Sequence, residues 1–137
     1  MNRPILLDTC AAIWLADSSE LSTEAVEALE AADRDGLAIA LSPITAWEIG
    51  LLVARGRLAL SRDPGVWFDD LLSEGLELAP LAPRTLVASS FLPGAALRDP
   101  ADRILAATAR ALNYRLMTRD ARLLEYGAAG HLSVIAC

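Results

Sequence analysis

The chain contains no lysine, and all 12 of its basic residues are arginine. That absence removes the lysine-bearing phosphate loop of the nucleotide-binding enzymes. Histidine occurs once, at His131, which excludes a two-imidazole acid–base pair and a multi-histidine zinc site. Two cysteines, Cys10 and Cys137, cannot make a disulfide framework, so a reducing, cytoplasmic compartment is expected. Long apolar runs are missing as well. The longest uncharged stretch, 85–97, has 13 residues and includes Pro93, whereas a membrane span needs about 20 apolar residues. At the start of the chain Ile5-Leu6-Leu7 meets Asp8 at once, too short for the apolar region of a secretory signal. No membrane association is expected, and chemistry must rest on carboxylates, hydroxyls and guanidiniums.

What is present is a core. With 137 residues, 54% of them apolar and 22% charged, the chain suits a single domain over 1–137 and is far from a disordered composition. The net charge of −6 is unevenly placed. Residues 1–83 hold 5 arginines against 14 acids, and residues 84–137 hold 7 against 4. Such a balance argues against a protein that coats duplex nucleic acid, since counterion release needs many basic contacts. It leaves room for a nucleic-acid enzyme that holds cations in an acidic pocket.

Short apolar runs alternate with helix-like stretches, and no repeat of 20–50 residues interrupts them. Ile5 to Leu7, Leu37 to Leu41, Leu76 to Leu78, Arg115 to Thr118 and Leu132 to Ile135 read as strands. Between them lie a short helix over Ala11–Ala16 and an amphipathic helix over Glu24–Arg34, with Val26 and Leu29 expected inward. Ser42-Pro43 opens a helix to about Arg55, with Gly56 as its stop. Asp63-Pro64 and Asp99-Pro100 repeat that start signal, the latter for a longer helix to about Asn113. A short helix over Arg84–Ser90 and a helical turn over Asp120–Glu125 complete the set, and Trp14, Trp47 and Trp67 are expected in the core. Strands apolar on both faces, alternating with helices, predict an α/β fold with a central parallel sheet. In such sheets ligands bind beyond the carboxyl ends of the strands.

Four acids fall at or near those ends. Asp8 follows the first strand directly, Asp120 follows the strand ending at Thr118, Asp102 lies in the first turn of its helix, and Glu48 flanks the apolar stripe of its own. Each has an ordinary role open to it, as turn residue, helix-terminal charge or solvated side chain. Together they describe a pocket of clustered carboxylates, which repel unless a cation neutralises them. Oxygen donors select hard ions such as Mg²⁺ or Mn²⁺ over zinc or copper. Such an ion keeps positions for phosphoryl oxygens and water. Thr9 and Thr118, beside two of the acids, are placed to orient a carboxylate or hold a ligand water.

The segments ILLDT (5–9), SPITAWEIG (42–50), RDPADRILAATA (98–109) and LMTRD (116–120) resemble, in order and spacing, the PIN-domain nucleases, particularly ribonuclease toxins of the VapC type. The resemblance runs over essentially the whole chain, and its most specific piece is the stretch from RDPADRILAATA to TRD. It implies a three-layer α/β/α sandwich and Mg²⁺- or Mn²⁺-dependent cleavage of single-stranded or looped RNA. It also implies a homodimer and a small antitoxin as inhibitory partner. The family's acidic positions fall on Asp8, Glu48, Asp102 and Asp120, with Asp8 and Asp102 as main metal ligands and Glu48 and Asp120 completing the pocket. Thr118 matches the hydroxyl residue often found ahead of the last acid. Cys10 departs from the small polar residue common at its position. Asp99, three residues before Asp102, is a fifth acid that can point into the pocket, and its capping role favours Asp102 as the ligand.

Among the basic residues, Arg103 and Arg119 are candidates for RNA contacts. A mean hydropathy of +0.37 points to apolar surface covered by a copy or partner. Two further readings keep the same fold: an RNA-processing nuclease without an antitoxin, and a catalytically silent PIN-like binding module. The second would be marked by a missing acid, and all four are present.

Overall fold

The computed structural model describes residues 3–94 and 97–137. Five strands, β1 (Ile5–Leu7), β2 (Ile39–Leu41), β3 (Glu77–Leu78), β4 (Arg115–Thr118) and β5 (Val134–Ala136), form one sheet in the order β3-β2-β1-β4-β5. Every pairing is parallel, with Leu6 opposite Ala40 on one side and Leu116 on the other. Among the described residues seven helices connect them: α1 (Thr9–Ala16), α2 (Thr23–Arg34), α3 (Pro43–Ala54), α4 (Pro64–Ser73), α5 (Pro83–Ala88), α6 (Pro100–Leu112) and α7 (Ala121–Ala128).

Alternation along the strands builds a core on each face. Ile5, Leu7, Leu41, Met117 and Ile135 point to one side and meet Ala11 and Ala12 of α1, Ala25 and Ala32 of α2, and Phe68 and Leu71 of α4. Leu6, Ala40 and Leu116 point to the other and meet Leu105, Ala106 and Ala109 of α6 with Leu123 and Tyr126 of α7. The expected three-layer α/β/α sandwich is the observed architecture. Each fully buried Leu, Ile or Met side chain stabilises it by roughly 1.5–3 kcal/mol. α7 approaches β5 so closely that a Cβ on Gly127 would stand 2.5 Å from the Val134 side chain. Only glycine fits there.

Three expectations are corrected. Val26 is 40% exposed, because α2 seats itself on the small side chains of Ala25 and Ala32 and turns Val26 aside. Trp47 is 56% exposed: the buried stripe of α3 runs through Thr45 and Ile49, and a residue two positions from both faces away. Trp14 and Trp67 do pack against the core. The turn after Asp120 extends into the full helix α7. No helix among the described residues is long and apolar enough to cross a membrane.

Candidate metal centre

Asp8 is the first residue beyond β1 and the N-cap of α1. Its Oδ1 accepts the amide of Ala11 at 2.7 Å, and its Oδ2 accepts the hydroxyl of Thr118 at 2.5 Å. The parallel register that sets Leu7 beside Met117 brings these two residues together across 110 positions of sequence. Thr118 is fully buried, and its Oγ1 also accepts the amide of Asp120 at 3.0 Å. One hydroxyl therefore ties two acids at neighbouring strand ends. Burial pushes the Asp8 carboxyl up, the bonds from Thr118 and Ala11 pull it partly back, and the Asp120 charge raises it again.

Thr9 performs the same service for a third acid. Its hydroxyl donates to Oε1 of Glu48 and stands 3.4 Å from Oγ1 of Thr45. Glu48 rides at the edge of the buried stripe of α3, half-buried, so it reaches inward from a helix whose own tryptophan faces solvent. Its carboxyl is also raised, mainly by burial and against the Thr9 bond, with Asp99 and Asp8 adding repulsion. Thr45 was not among the sequence candidates. The signal for it was a hydroxyl four residues from Ile49 on the buried face of SPITAWEIG.

Asp102 sits in the first turn of α6, half-buried, and its carboxyl is pushed up to about 7 by burial and then by Asp99, Asp120, Glu48 and Asp8. Asp99 is the N-cap, its Oδ1 accepting the amides of Ala101 at 2.9 Å and Asp102 at 3.2 Å. Asp120 is the N-cap of α7, accepting from Arg122 and Leu123 at 2.9 and 3.1 Å. Cys10 feels Asp8, Glu48, Asp102 and Asp120 together, and with burial they raise its thiol to about 11, so it stays protonated. The four sequence candidates thus share one electrostatic neighbourhood, joined by Asp99.

Among the described residues none of these carboxylates is held in an ion pair. The ion pair present is Arg62–Asp70, which includes none of them. Nor do any three Asp, Glu, His or Cys side chains among the described residues already stand in ligating geometry. The donor set fits a hard divalent ion in chemistry, all oxygen and uncompensated, and the carboxylates would have to draw together around it. A cavity of about 220 Å³ borders the cluster, between Trp47, Glu48 and Leu51 on one side and Asp99 and Pro100 on the other.

The two arginine candidates have structural work. Arg103 donates through Nε to the Ser89 carbonyl at 2.8 Å and through Nη1 to that of Leu97 at 2.6 Å, tying both ends of the α5–α6 connection. Arg119 donates to the Cys137 carbonyl at 2.6 Å and lies 3.8 Å over the Trp14 ring, while remaining exposed next to Asp120.

The PIN domain model matches residues 5–129. Ribonuclease VapC22 of Mycobacterium tuberculosis (strain ATCC 25618 / H37Rv) is 32% identical over 123 residues, 89% of this chain and 91% of that one. The crystal structure of VapBC2 from Rickettsia felis, bound to a DNA fragment from their promoter, superposes with a TM-score of 0.70 at 18% identity, covering 96% of this chain and 97% of that chain. DNA-bound VapBC from Salmonella typhimurium gives 0.66 at 14% identity, with 98% of each chain covered. An acidic cluster at the carboxyl edge of a parallel sheet is therefore met here in a chain that belongs to the PIN-domain family, among its VapC-type ribonucleases.

Proposed function

We propose that the protein is a Mg²⁺- or Mn²⁺-dependent endoribonuclease and the toxin of a toxin–antitoxin pair. The observation that carries this reading is the gathering of Asp8, Glu48, Asp102 and Asp120 around one sheet edge, where burial and then the charges of its acidic neighbours push the Asp102 carboxyl up to about 7. Asp8 and Asp102 are the main ligands, and Glu48 and Asp120 complete the pocket and orient the attacking water. A bound divalent ion supplies Lewis-acid charge to a phosphodiester under attack by water. The chain's own part is preorganisation. Thr118 and the Ala11 amide hold Asp8 in one orientation, and Thr9 does so for Glu48. Asp102 must release its proton before it can ligate. Of the arginines, Arg119 is the better placed for RNA phosphate, being exposed beside Asp120, and Arg103 the better placed as a tether.

The antitoxin reading draws on the VapBC complexes that share the fold and on the anionic pocket, which suits a bidentate guanidinium from a partner. A paired copy is supported by Val87 (62% exposed) and Phe91 (81% exposed) at the α5 end of the molecule. The test is cleavage of total tRNA and rRNA by purified protein stripped of metal, with Mg²⁺, Mn²⁺ or EDTA added. Activity that survives excess EDTA undiminished overturns the metal mechanism. Co-expression with the adjacent small open reading frame should give a silent complex. Metal-dependent cleavage without any such partner, and without toxicity on expression, would identify an RNA-processing nuclease instead.

A further inference from the structure

At the other end of the sheet, around the amino ends of β1, β4 and β5, lies a cavity of about 560 Å³. Arg3, Arg110, Asn113, Tyr114, His131 and Ser133 line it, and among the described residues no carboxylate does. Its cationic groups come from three separated segments: the run into β1, the last turn of α6, and the loop between α7 and β5.

Among the described residues the guanidiniums here are held by neutral acceptors. Arg3 donates to Oδ1 of Asn113 at 2.7 Å and to the Ser133 hydroxyl, and Arg110 donates to the His131 carbonyl. Behind them Arg115 donates twice to the Arg3 carbonyl, at 3.2 and 2.9 Å, and its pKa is lowered by burial and by the Arg3 charge. Such bonds fix where each fork points without cancelling its charge. Tyr114 feels the charge of Glu77, the first residue of β3. The carboxyl termini of α6 and α7 contribute about half a negative charge each. The lining itself, with two guanidiniums and no carboxylate among the described residues, is positive in a protein whose net charge is −6.

We infer that this cavity is a phosphate-binding site, in which the Arg3 and Arg110 guanidiniums clamp a phosphate group while Asn113, Ser133 and His131 supply further hydrogen bonds at its rim. Planar guanidiniums match phosphate oxygens in pairs, and fixed forks lose little entropy on binding. The phosphate comes from a polynucleotide end or from a small phosphorylated molecule. Nothing in this inference depends on the acidic cluster, which lies at the opposite sheet edge.

The experiment uses full-length protein freed of metal on a chelating resin, so that phosphate cannot act through an ion at the acids and no soluble polyanionic chelator competes. Thermal melting in inorganic pyrophosphate is compared with melting in sodium chloride at matched ionic strength. A saturable rise in midpoint with pyrophosphate alone is expected. Arg110→Ala changes an exposed residue with one side-chain bond and should fold. It should weaken binding roughly tenfold or more, as loss of a charge-assisted hydrogen bond does. Arg3→Gln should do likewise. A rise reproduced by chloride, or undiminished in Arg110→Ala, overturns the site. A short oligonucleotide with and without a 5′-phosphate then separates the sources. Arg110-dependent binding that needs the 5′-phosphate supports a polynucleotide end, and binding of pyrophosphate but neither oligonucleotide supports a small phosphorylated ligand.

Discussion

The carboxyl and amino ends of this sheet carry opposite charge, and they hold it by opposite means. At the carboxyl end Asp8, Asp99 and Asp120 are the N-caps of α1, α6 and α7, so their oxygens accept backbone N–H groups where three helix dipoles are positive. At the amino end Arg3, Arg110 and Arg115 meet carbonyls and neutral side chains, near the negative ends of α6 and α7. A parallel α/β layer polarises itself in this way, because each strand runs toward the start of the next helix. The difference lies in burial. Asp8 is drawn inward until it is 5% exposed and the half-buried Asp102 is pushed up to about 7, whereas Arg110 stays at the surface. Charge held against its own solvation is the mark of a site that expects a counter-ion.

The largest expected effect breaks this asymmetry at the acidic end. Asp8→Asn and Asp102→Asn keep side-chain size but remove a ligand charge. Loss of an outer-shell partner typically costs about 10–100-fold, so loss of a ligand should lower metal-dependent cleavage by at least about 100-fold. Melting without metal should be unchanged or raised, since one repelling charge is gone, and the stabilisation by added Mn²⁺ should vanish. If either variant keeps both cleavage and Mn²⁺ response, that residue is no ligand.

A smaller effect is expected one layer back. Thr118→Val keeps the shape of a fully buried side chain but deletes the hydroxyl shared by Asp8 and the Asp120 amide. It should cost roughly 1–3 kcal/mol of stability, the penalty for leaving buried partners unsatisfied. Mn²⁺ affinity should fall by about 10–100-fold, with a smaller change in cleavage at saturating metal. Titration of Mn²⁺ followed by activity separates affinity from turnover. An unchanged affinity would show that Asp8 needs no such support.

What was legible in the sequence follows from where each signal is local. Proline after Ser42, Asp63 and Asp99 marks three helix starts, and all three are observed with the preceding residue as N-cap. The four acids could be gathered because a parallel sheet sends every strand end to one edge, a rule of topology that needs no side-chain detail. Trp47 and Val26 were misplaced because which stripe of a helix is buried depends on neighbours distant in sequence. On α2 the close-packed alanines decided it. The tethers of Arg103 and Arg119 were invisible for the same reason: carbonyls are acceptors without a letter in the sequence. The basic cavity was hidden by the net charge, since its residues lie 107 and 21 positions apart along the chain.

The pH response should sharpen the contrast between the two ends. Asp102 titrates near 7 in the folded protein against an ordinary value of 3.8, so between those values the native state holds a proton that the unfolded chain has released. Stability of the metal-free protein should therefore fall as pH rises through that window. Asp8 and Glu48, also raised, act in the same direction. Metal reverses the trend, because it binds the deprotonated carboxylates, so stabilisation by Mn²⁺ should grow as pH climbs toward and past 7. Melting between pH 5 and 8, with and without Mn²⁺, reads both slopes, and Asp102→Asn should flatten the metal-free one. A metal-free slope of the opposite sign would mean that these carboxyls are not raised in the folded protein.

The smallest effect distinguishes two acids three residues apart. Asp99 spends Oδ1 on the amides of Ala101 and Asp102, and its charge is the largest Coulombic contribution to the raised carboxyl of Asp102. Asn caps a helix about as well as Asp, so Asp99→Asn should shift stability by no more than a few tenths of a kcal/mol. Removing that neighbour's charge lowers the Asp102 pKa, which makes the ligand carboxylate available at lower pH. Cleavage at pH 8 should then be nearly unchanged, while the acid limb of its pH profile moves to lower pH. Asp99→Ala removes the cap as well and should cost about 1 kcal/mol without moving that limb further. Loss of Mn²⁺ response in Asp99→Asn, with its retention in Asp102→Asn, would exchange the two roles and make Asp99 the ligand of the pair.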